Sequence, residues 1–323
     1  MNSRKQEKGM ALLLVLVVVA LLTSLLTDLA FSTLVDLRLT ETFRDGTKAY
    51  YLAKGGINAG RMILQNDKND FDSDKEIWGM GIVNFPVGDG FVSVQIEDQG
   101  GRLSLNDMVK GDNPQAVMID RFYRFLLAMD LGADVDPAEL TAALVDWLDE
   151  NDEPYAEIRT DGLNIPVAGA EEIYYRSQSP AYSCRNGAIE TLQELTLIKG
   201  FTPELVEKIR PHLTAYGTQK ININTASAEV LMSLDSQVER ETAERIIEFR
   251  DQEPIKTIDQ LEPILTTEIY SALKAQALTE PQQLGTTSET YRIESVAMIN
   301  DGQRKVEGLV DKIGNRLLFI KVN

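Results

Sequence analysis

From Met10 to Thr27 the chain is apolar and uncharged, and the only polar side chains in that stretch are three hydroxyls. As a helix rising about 1.5 Å per residue it spans roughly 27 Å, close to the hydrocarbon thickness of a bilayer. A helix is the element this pattern predicts, because it satisfies its own backbone amides where lipid offers no partner. Arg4, Lys5 and Lys8 stand before it against Glu7, whereas Asp28, Asp36, Arg38 and Glu41 follow it. The basic flank places the N-terminus in the cytoplasm and the rest of the chain across the membrane.

Past Asp28 the pattern becomes amphipathic. Leu29, Leu34, Leu37, Leu52, Ile57 and Ile63 recur at mixed three- and four-residue steps, and no proline occurs before Pro86. One helix from Met10 to about Leu64 is expected, roughly 80 Å long, with its second half packed on one face. Gly46, Gly55, Gly56 and Gly60 each weaken that helix by about 1 kcal/mol relative to Ala, so the exposed half needs a packing partner. They also let another backbone come close. A secretory signal would have a shorter apolar region and a small-x-small cleavage site, and neither is present.

Period-two alternation takes over beyond the polar stretch "QNDKNDFDSDKE". Phe91 to Glu97 reads as a strand that turns through Gly100-Gly101 into a short extended piece. Near the C-terminus, turns at Asn300-Asp301-Gly302 and Ile313-Gly314-Asn315 predict two hairpins, the last strand being Leu317 to Val322. Between these strands, Asn106 to about Gln283 is helical in character. Asn113-Pro114, Asp136-Pro137 and Thr202-Pro203 each offer a capping side chain followed by proline at the first helical position. Thr257 and Gln260 suit a capping box. Phe122, Phe125, Leu126 and Leu144 are expected core, with Trp147 and Tyr174 packing a neighbouring loop.

Length and charge narrow the functional classes. At 323 residues, two or three units of ordinary size follow the anchor. A formal charge of −18 excludes a broad nucleic-acid surface, which needs a basic stripe. Cys184 is the only cysteine and His212 the only histidine, so neither an internal disulfide nor a thiolate-rich zinc site is expected. With no nucleophile motif near either and no Gly-rich phosphate loop, catalysis is not expected.

Two stretches of the helical region stand out. "DWLDENDEPYAEIRTDGLNIPVAGAEEIYY" sets Asp146, Asp149, Glu150, Asp152, Glu153, Glu157, Asp161, Glu171 and Glu172 against Arg159 alone. Asp146 and Asp149, three apart at a helix end, can share a face. A hard cation with six to eight oxygen ligands would neutralise such a cluster, while the bland alternative is a solvated acidic loop. The second stretch, Ile221 to Leu261, resembles the helix-hairpin-helix modules of DNA-uptake proteins. Asn222, Asn224 and Thr225 are placed at the opening of its first helix, and Ile246, Ile247 and Phe249 in the next. Its hairpin, "DSQVERE", puts Asp235, Glu239 and Glu241 where phosphate-binding versions carry glycines, so packing without DNA binding is expected.

The leader itself resembles a family. A short basic segment ending in Gly9, then Met10 and a long apolar helix, is similar to the class III signal of type IV pilins and type II secretion pseudopilins; the leader alone fits a plain single-pass anchor equally well. The resemblance implies that prepilin peptidase cuts after Gly9, leaving Met10 as an N-methylated first residue. Most of the superfamily carries glutamate at the fifth mature position, and here that position is Leu14. The missing carboxylate, the length of the chain and the "INxNTA" signature together resemble minor pseudopilin K of the type II system.

That resemblance implies an α+β fold: a long pilin-like helix on a small antiparallel sheet, with a large inserted α-helical domain of two helix-hairpin-helix or SAM-like parts. The expected divisions are a leader (1–9), the pilin helix (10–66), the first part of the sheet (67–105), a helical subdomain with the acidic loop (106–220), a helix-hairpin-helix-like subdomain (221–283) and the closing strands (284–323). The similarity of "GAEEIYY" and Asn186 to the family pattern implies one or two calcium ions. The expected ligands are Asp149, Asp152, Glu171 and Glu172, with Asp146, Glu150 and Asn186 as further candidates. The implied role is the tip of the periplasmic pseudopilus. Its partners would be the I- and J-type minor pseudopilins, the major pseudopilin, the inner-membrane assembly platform, prepilin peptidase and secreted proteins, with no nucleic acid. A membrane-tethered DNA receptor of the competence type and a minor type IV pilus tip subunit are the alternative readings.

Overall fold

The computed structural model describes residues 3–322, with side chains from Met10 onward. Met1 and Asn2 of the expected leader, and the side-chain surroundings of residues 3–9, lie outside the described residues. Helix α1 runs unbroken over Ser3–Asn66. Within the apolar span, the Thr23 and Thr27 hydroxyls each donate to the carbonyl four residues back at 2.8 Å, which satisfies both hydroxyl donors within the helix. Every side chain from Met10 to Thr40 is exposed, including Leu29, Leu34 and Leu37, which the periodicity assigned to a packed face. The packed face begins lower, at Asp45, and continues through Ala49, Ala53, Ile57 and Leu64. The reason is geometric: the sheet is shorter than the helix, so the upper half of α1 projects beyond it.

The sheet has five antiparallel strands whose spatial order follows the chain: β1 (Ile82–Val87), β2 (Gly90–Asp98), β3 (Thr290–Ile299), β4 (Gly302–Asp311) and β5 (Arg316–Val322). Alternation selects one face. Val92, Val94 and Ile96 of β2 pair across to Ala297, Ser295 and Ile293 of β3, and Val306 and Val310 continue that face on β4. Helix α1 lies over it, and Trp78 closes one end with its ring edge-on to Tyr291, centroids 5.2 Å apart. Two of the helical glycines are explained here. A Cβ on Gly56 would overlap Ser295 and one on Gly60 would press on Ile293, so alanine at either would push helix and sheet apart.

Residues 99–289 are inserted between β2 and β3 and build a second core. Its helices are α2 (Ala116–Ala128), α3 (Pro137–Leu148), α4 (Glu172–Arg176), α5 (Pro203–Ile209), α6 (Ala228–Met232), α7 (Arg240–Gln252) and α8 (Thr267–Leu278). Phe122, Phe125, Leu126 and Leu144 are buried in it. Asp136 and Thr202 cap α3 and α5 ahead of proline, and Thr257 with Gln260 forms a capping box on a 3-10 turn. Asn113-Pro114 does not start a helix. Gly111, at φ +62°, turns Val109-Lys110 back onto Asn113-Pro114 as a tight two-stranded ladder, and α2 begins only after Gln115.

The insertion is tied to the sheet by a buried polar clasp built on Asn222. This residue does not open a helix; Ser227 caps α6, and Ile221-Asn222 is a short strand parallel to Leu284-Gly285. The Asn222 amide donates to the Asp72 carbonyl at 3.0 Å, to Asp98 Oδ2 at 3.0 Å and to Ser288 Oγ at 2.9 Å. Asn224 pairs both ways with the Ile255 backbone at 2.8 Å, joining the clasp to the turn after α7. Asn222 therefore serves packing between the two cores, and Asn224 serves packing within the insertion.

Candidate metal centre

Helix α3 delivers the first two acidic groups. Its last turns carry Trp147 and Leu148 into the core, which forces Asp146 inward too, and Asp149 follows as the C-cap residue in extended conformation. The chain then leaves through an exposed loop, forms a two-stranded hairpin (Glu157–Thr160 with Leu163–Pro166), and returns through Gly169 and Ala170 to Glu171 at the start of α4. Asp146, Asp149 and Glu171 are 0%, 2% and 4% exposed, and one carboxylate oxygen of each lies within 4.8 Å of the others. A Cβ on Gly169 would overlap Asp146 Oδ2, so only glycine lets the returning strand pass this close.

Donors are scarce in this cluster. Asp146 Oδ1 accepts from the Tyr155 amide at 2.7 Å. Asp146 Oδ2, Asp149 Oδ1 and both Glu171 oxygens have no hydrogen-bond partner among the described residues. Burial, reinforced by mutual repulsion for Asp149 and Glu171, pushes Asp146 up to about 6, Asp149 to about 7 and Glu171 to about 8. Carboxylates buried without donors or a counter-charge are costly, and a cation between them removes the cost.

The remaining candidates sit around this trio. Asn186 occupies the left-handed region at φ +47°, and its Oδ1 is buried without a donor. Its amide donates to Asp152 Oδ1 at 3.1 Å and to the Asn151 carbonyl at 3.2 Å, which holds exposed Asp152 beside the cluster. Glu172 turns away: it accepts from Arg176 at 2.6 Å and from the Cys184 amide at 2.7 Å, and these bonds hold it below the usual carboxylate range. Glu150 is exposed. Beneath the cluster, Trp147 and Tyr175 meet edge to face at 5.0 Å, with Tyr174 and Tyr182 extending the aromatic group. The Cys184 thiol, pushed up to about 12 by burial, donates to the Asp146 carbonyl at 3.6 Å. His212 lies elsewhere, its Nδ1 2.7 Å from Ser227 Oγ. The trio with Asn186 is an all-oxygen donor set, suited to calcium rather than to a thiolate- or imidazole-loving metal.

Sequence reading missed a second acidic group, Asp67, Asp72 and Glu76, because its partner is remote. Lys312 lies between Asp67 at 2.7 Å and Asp72 at 2.6 Å, so that cluster carries its own cation.

A membrane-spanning helix that continues onto an antiparallel sheet, with an acid-lined helical insertion between the second and third strands, defines a membrane-anchored subunit of the pilin type. Residues 101–218 and 221–280 each match a family model described as type II secretion system protein K. Type II secretion system protein K of Klebsiella pneumoniae is 30% identical over 235 residues, covering 70% of this chain and 68% of the relative. That of Pseudomonas aeruginosa is 27% identical over 273 residues, covering 81% and 78%. The chain belongs to the type II secretion system protein K family and is a minor pseudopilin. Its fold matches a chain of the solved GspK-GspI-GspJ complex from enterotoxigenic Escherichia coli, with a TM-score of 0.66 at 18% identity, covering 90% of this chain and 99% of that one.

Proposed function

We propose that this minor pseudopilin forms the tip of the periplasmic pseudopilus, assembled with I- and J-type minor pseudopilins and seated on the major pseudopilin, and that calcium holds its head together. The observation that carries the tip reading is Leu14. At the fifth position after Gly9 the superfamily's carboxylate is replaced by an apolar side chain, so a subunit stacked above would find no acid for its terminal amine. The inserted domain widens the head beside the sheet and would obstruct further addition. The chain acts by assembly rather than catalysis: it is inserted in the inner membrane with its basic leader cytoplasmic and its body periplasmic, and after cleavage α1 leaves the membrane, helps nucleate the filament and aids protein export. Solved assembly of a similarly folded chain with two other pseudopilins supports the choice of partners.

Calcium would be held by Asp146, Asp149 and Glu171, with the side-chain oxygens of Asn186 and Asp152 beside them; one or two ions fit this acidity. When bound, the ion supplies charge neutralisation and joins the end of α3 to the start of α4. To test the assembly, the full chain is produced in membranes with I- and J-type pseudopilins and isolated with and without chelator. A ternary complex weakened by chelator is expected, and failure to associate with either partner sinks the reading. Replacing Gly9 is expected to leave an uncleaved precursor, visible as a slower band on a gel.

A further inference from the structure

The two edges of the sheet are built differently. Strand β1 carries Pro86, which has no N–H to offer, and its register breaks between Ile82 and Phe85, around Asn84 at φ +49°. Strand β5, at the opposite edge, contains no proline; the pairing skips Leu318 and then runs in continuous register from Phe319 to Val322. Among the described residues no backbone hydrogen bond reaches β5 from its free side, and every residue of the strand except half-buried Phe319 is exposed. Its two faces differ as well. Register with Val310, Gly308 and Val306 puts Leu317, Ile320 and Val322 on the face that α1 covers elsewhere, where they are 38%, 40% and 48% exposed. Phe319 and Lys321 point to the other face, and Tyr216 of the insertion stacks on Phe319 with centroids 6.2 Å apart. Glu307, across from Lys321, is held by Lys305 at 3.1 Å. In a chain of net charge −18, β5 thus carries Arg316 and Lys321 and no acid.

Resting on the tip reading above, we propose that β5 is a strand-addition edge, and that its occupant is an extended segment of an exported protein in which apolar and acidic side chains alternate. A row of open main-chain donors and acceptors is matched by another extended backbone. The alternation follows from the pleat: every second side chain of the added strand meets Leu317, Ile320 and Val322, and those between them meet Lys321. A second copy of β5 would bring the same two basic residues to the junction, whereas an acidic strand complements them. A tip subunit leads its filament, so a protein pushed outward meets this head first.

The test uses the full chain in detergent and a labelled peptide, as long as β5, that alternates valine with glutamate. Saturable binding is expected, about tenfold weaker when lysine replaces the glutamates. Lys321→Glu, an exposed change expected to leave the melting temperature unaltered, should reverse that preference. N-methyl groups on the peptide separate strand addition from apolar adsorption. Successive amides of a strand point to opposite edges, so methylating one alternate set blocks binding and methylating the other leaves it intact. In cells, Lys321→Glu is expected to lower the amount of exported protein in the medium while recovery of I- and J-type partners stays unchanged. Binding indifferent to N-methylation, an unreversed preference in Lys321→Glu, or unchanged export would each overturn the proposal. So would peptide binding that vanishes once I- and J-type partners are added, which assigns β5 to the filament, or pairing of two copies through β5. All of these leave the tip role standing; the tip role fails separately, if the unaltered chain recovers no partner, while peptide binding is still read on the chain alone.

Discussion

Among the described residues, three groups of buried acids meet three different surroundings. Asp98 is buried and accepts from the Gly100 amide at 2.7 Å, Ser288 Oγ at 2.7 Å, Asn222 Nδ2 at 3.0 Å and Thr225 Oγ1. Asp67 and Asp72 share the ammonium of Lys312. Among the described residues, Asp146, Asp149 and Glu171 have one amide donor within hydrogen-bond distance between them and no cationic side chain paired with them. The first two clusters sit where the insertion meets the sheet, a junction the chain completes for itself. The third sits inside the insertion, between the end of α3 and the start of α4, and is the one for which a bound cation is proposed. The difference teaches that buried acidity alone says little; what separates an internal joint from a ligand site is whether the chain supplies the opposing donors.

Removing the internal cation should have the largest effect. Lys312→Met strands Asp67 and Asp72 and is expected to cost about 3–5 kcal/mol, by the general cost of breaking a buried pair. Urea unfolding should show the same loss with and without calcium, and a loss that calcium repairs would erase the contrast between the clusters. Chelating calcium comes next. With the ion about a hundredfold above its Kd, its removal is expected to cost about 2.7 kcal/mol, read as a fall in melting temperature. Asp149→Asn should be less stable in calcium and unresponsive to chelator.

Acidity sharpens the contrast further. In the metal-free protein the trio is held above ordinary carboxylate values, at about 6, 7 and 8. The folded state therefore binds more protons than the unfolded one between roughly pH 4 and 8, and stability falls as pH rises through that window. Bound calcium removes this fall, because ligated carboxylates are already ionised. Thermal melts with and without calcium should nearly coincide at pH 5.5 and separate at pH 8, and an equal gap at both pH values would remove the ion from the account. The smallest effect is expected from Thr257→Ala, about 1 kcal/mol from the lost cap whatever the calcium level, measured by urea unfolding.

Much of this architecture is legible in the chain because local rules act alone there. The helix from the membrane span to Asn66, the strand alternations and the caps at Asp136, Thr202 and Thr257 each depend on neighbouring residues. What escapes sequence reading depends on remote contacts. Leu29, Leu34 and Leu37 carry the right period but have no sheet beneath them. Asn222 resembles a helix opener until Asp98 arrives from the end of β2 and Ser288 from the loop before β3. In the site, Glu171 and Glu172 are adjacent and equally acidic, yet the extended backbone of Glu171 sends one inward and the other to Arg176. Asp146 ranks behind Asp149 in sequence because its burial is set by Trp147 and by Gly169, which is more than twenty residues away.

The most direct test is calcium binding by the chelator-stripped full chain in detergent at pH 7, followed by titration calorimetry beside its Asp149→Asn variant. Saturable uptake of one or two ions by the unaltered chain, with proton release and with loss in the variant, is the predicted result. No uptake at millimolar calcium, or equal uptake by the variant, would contradict the claim that these carboxylates wait for an external cation.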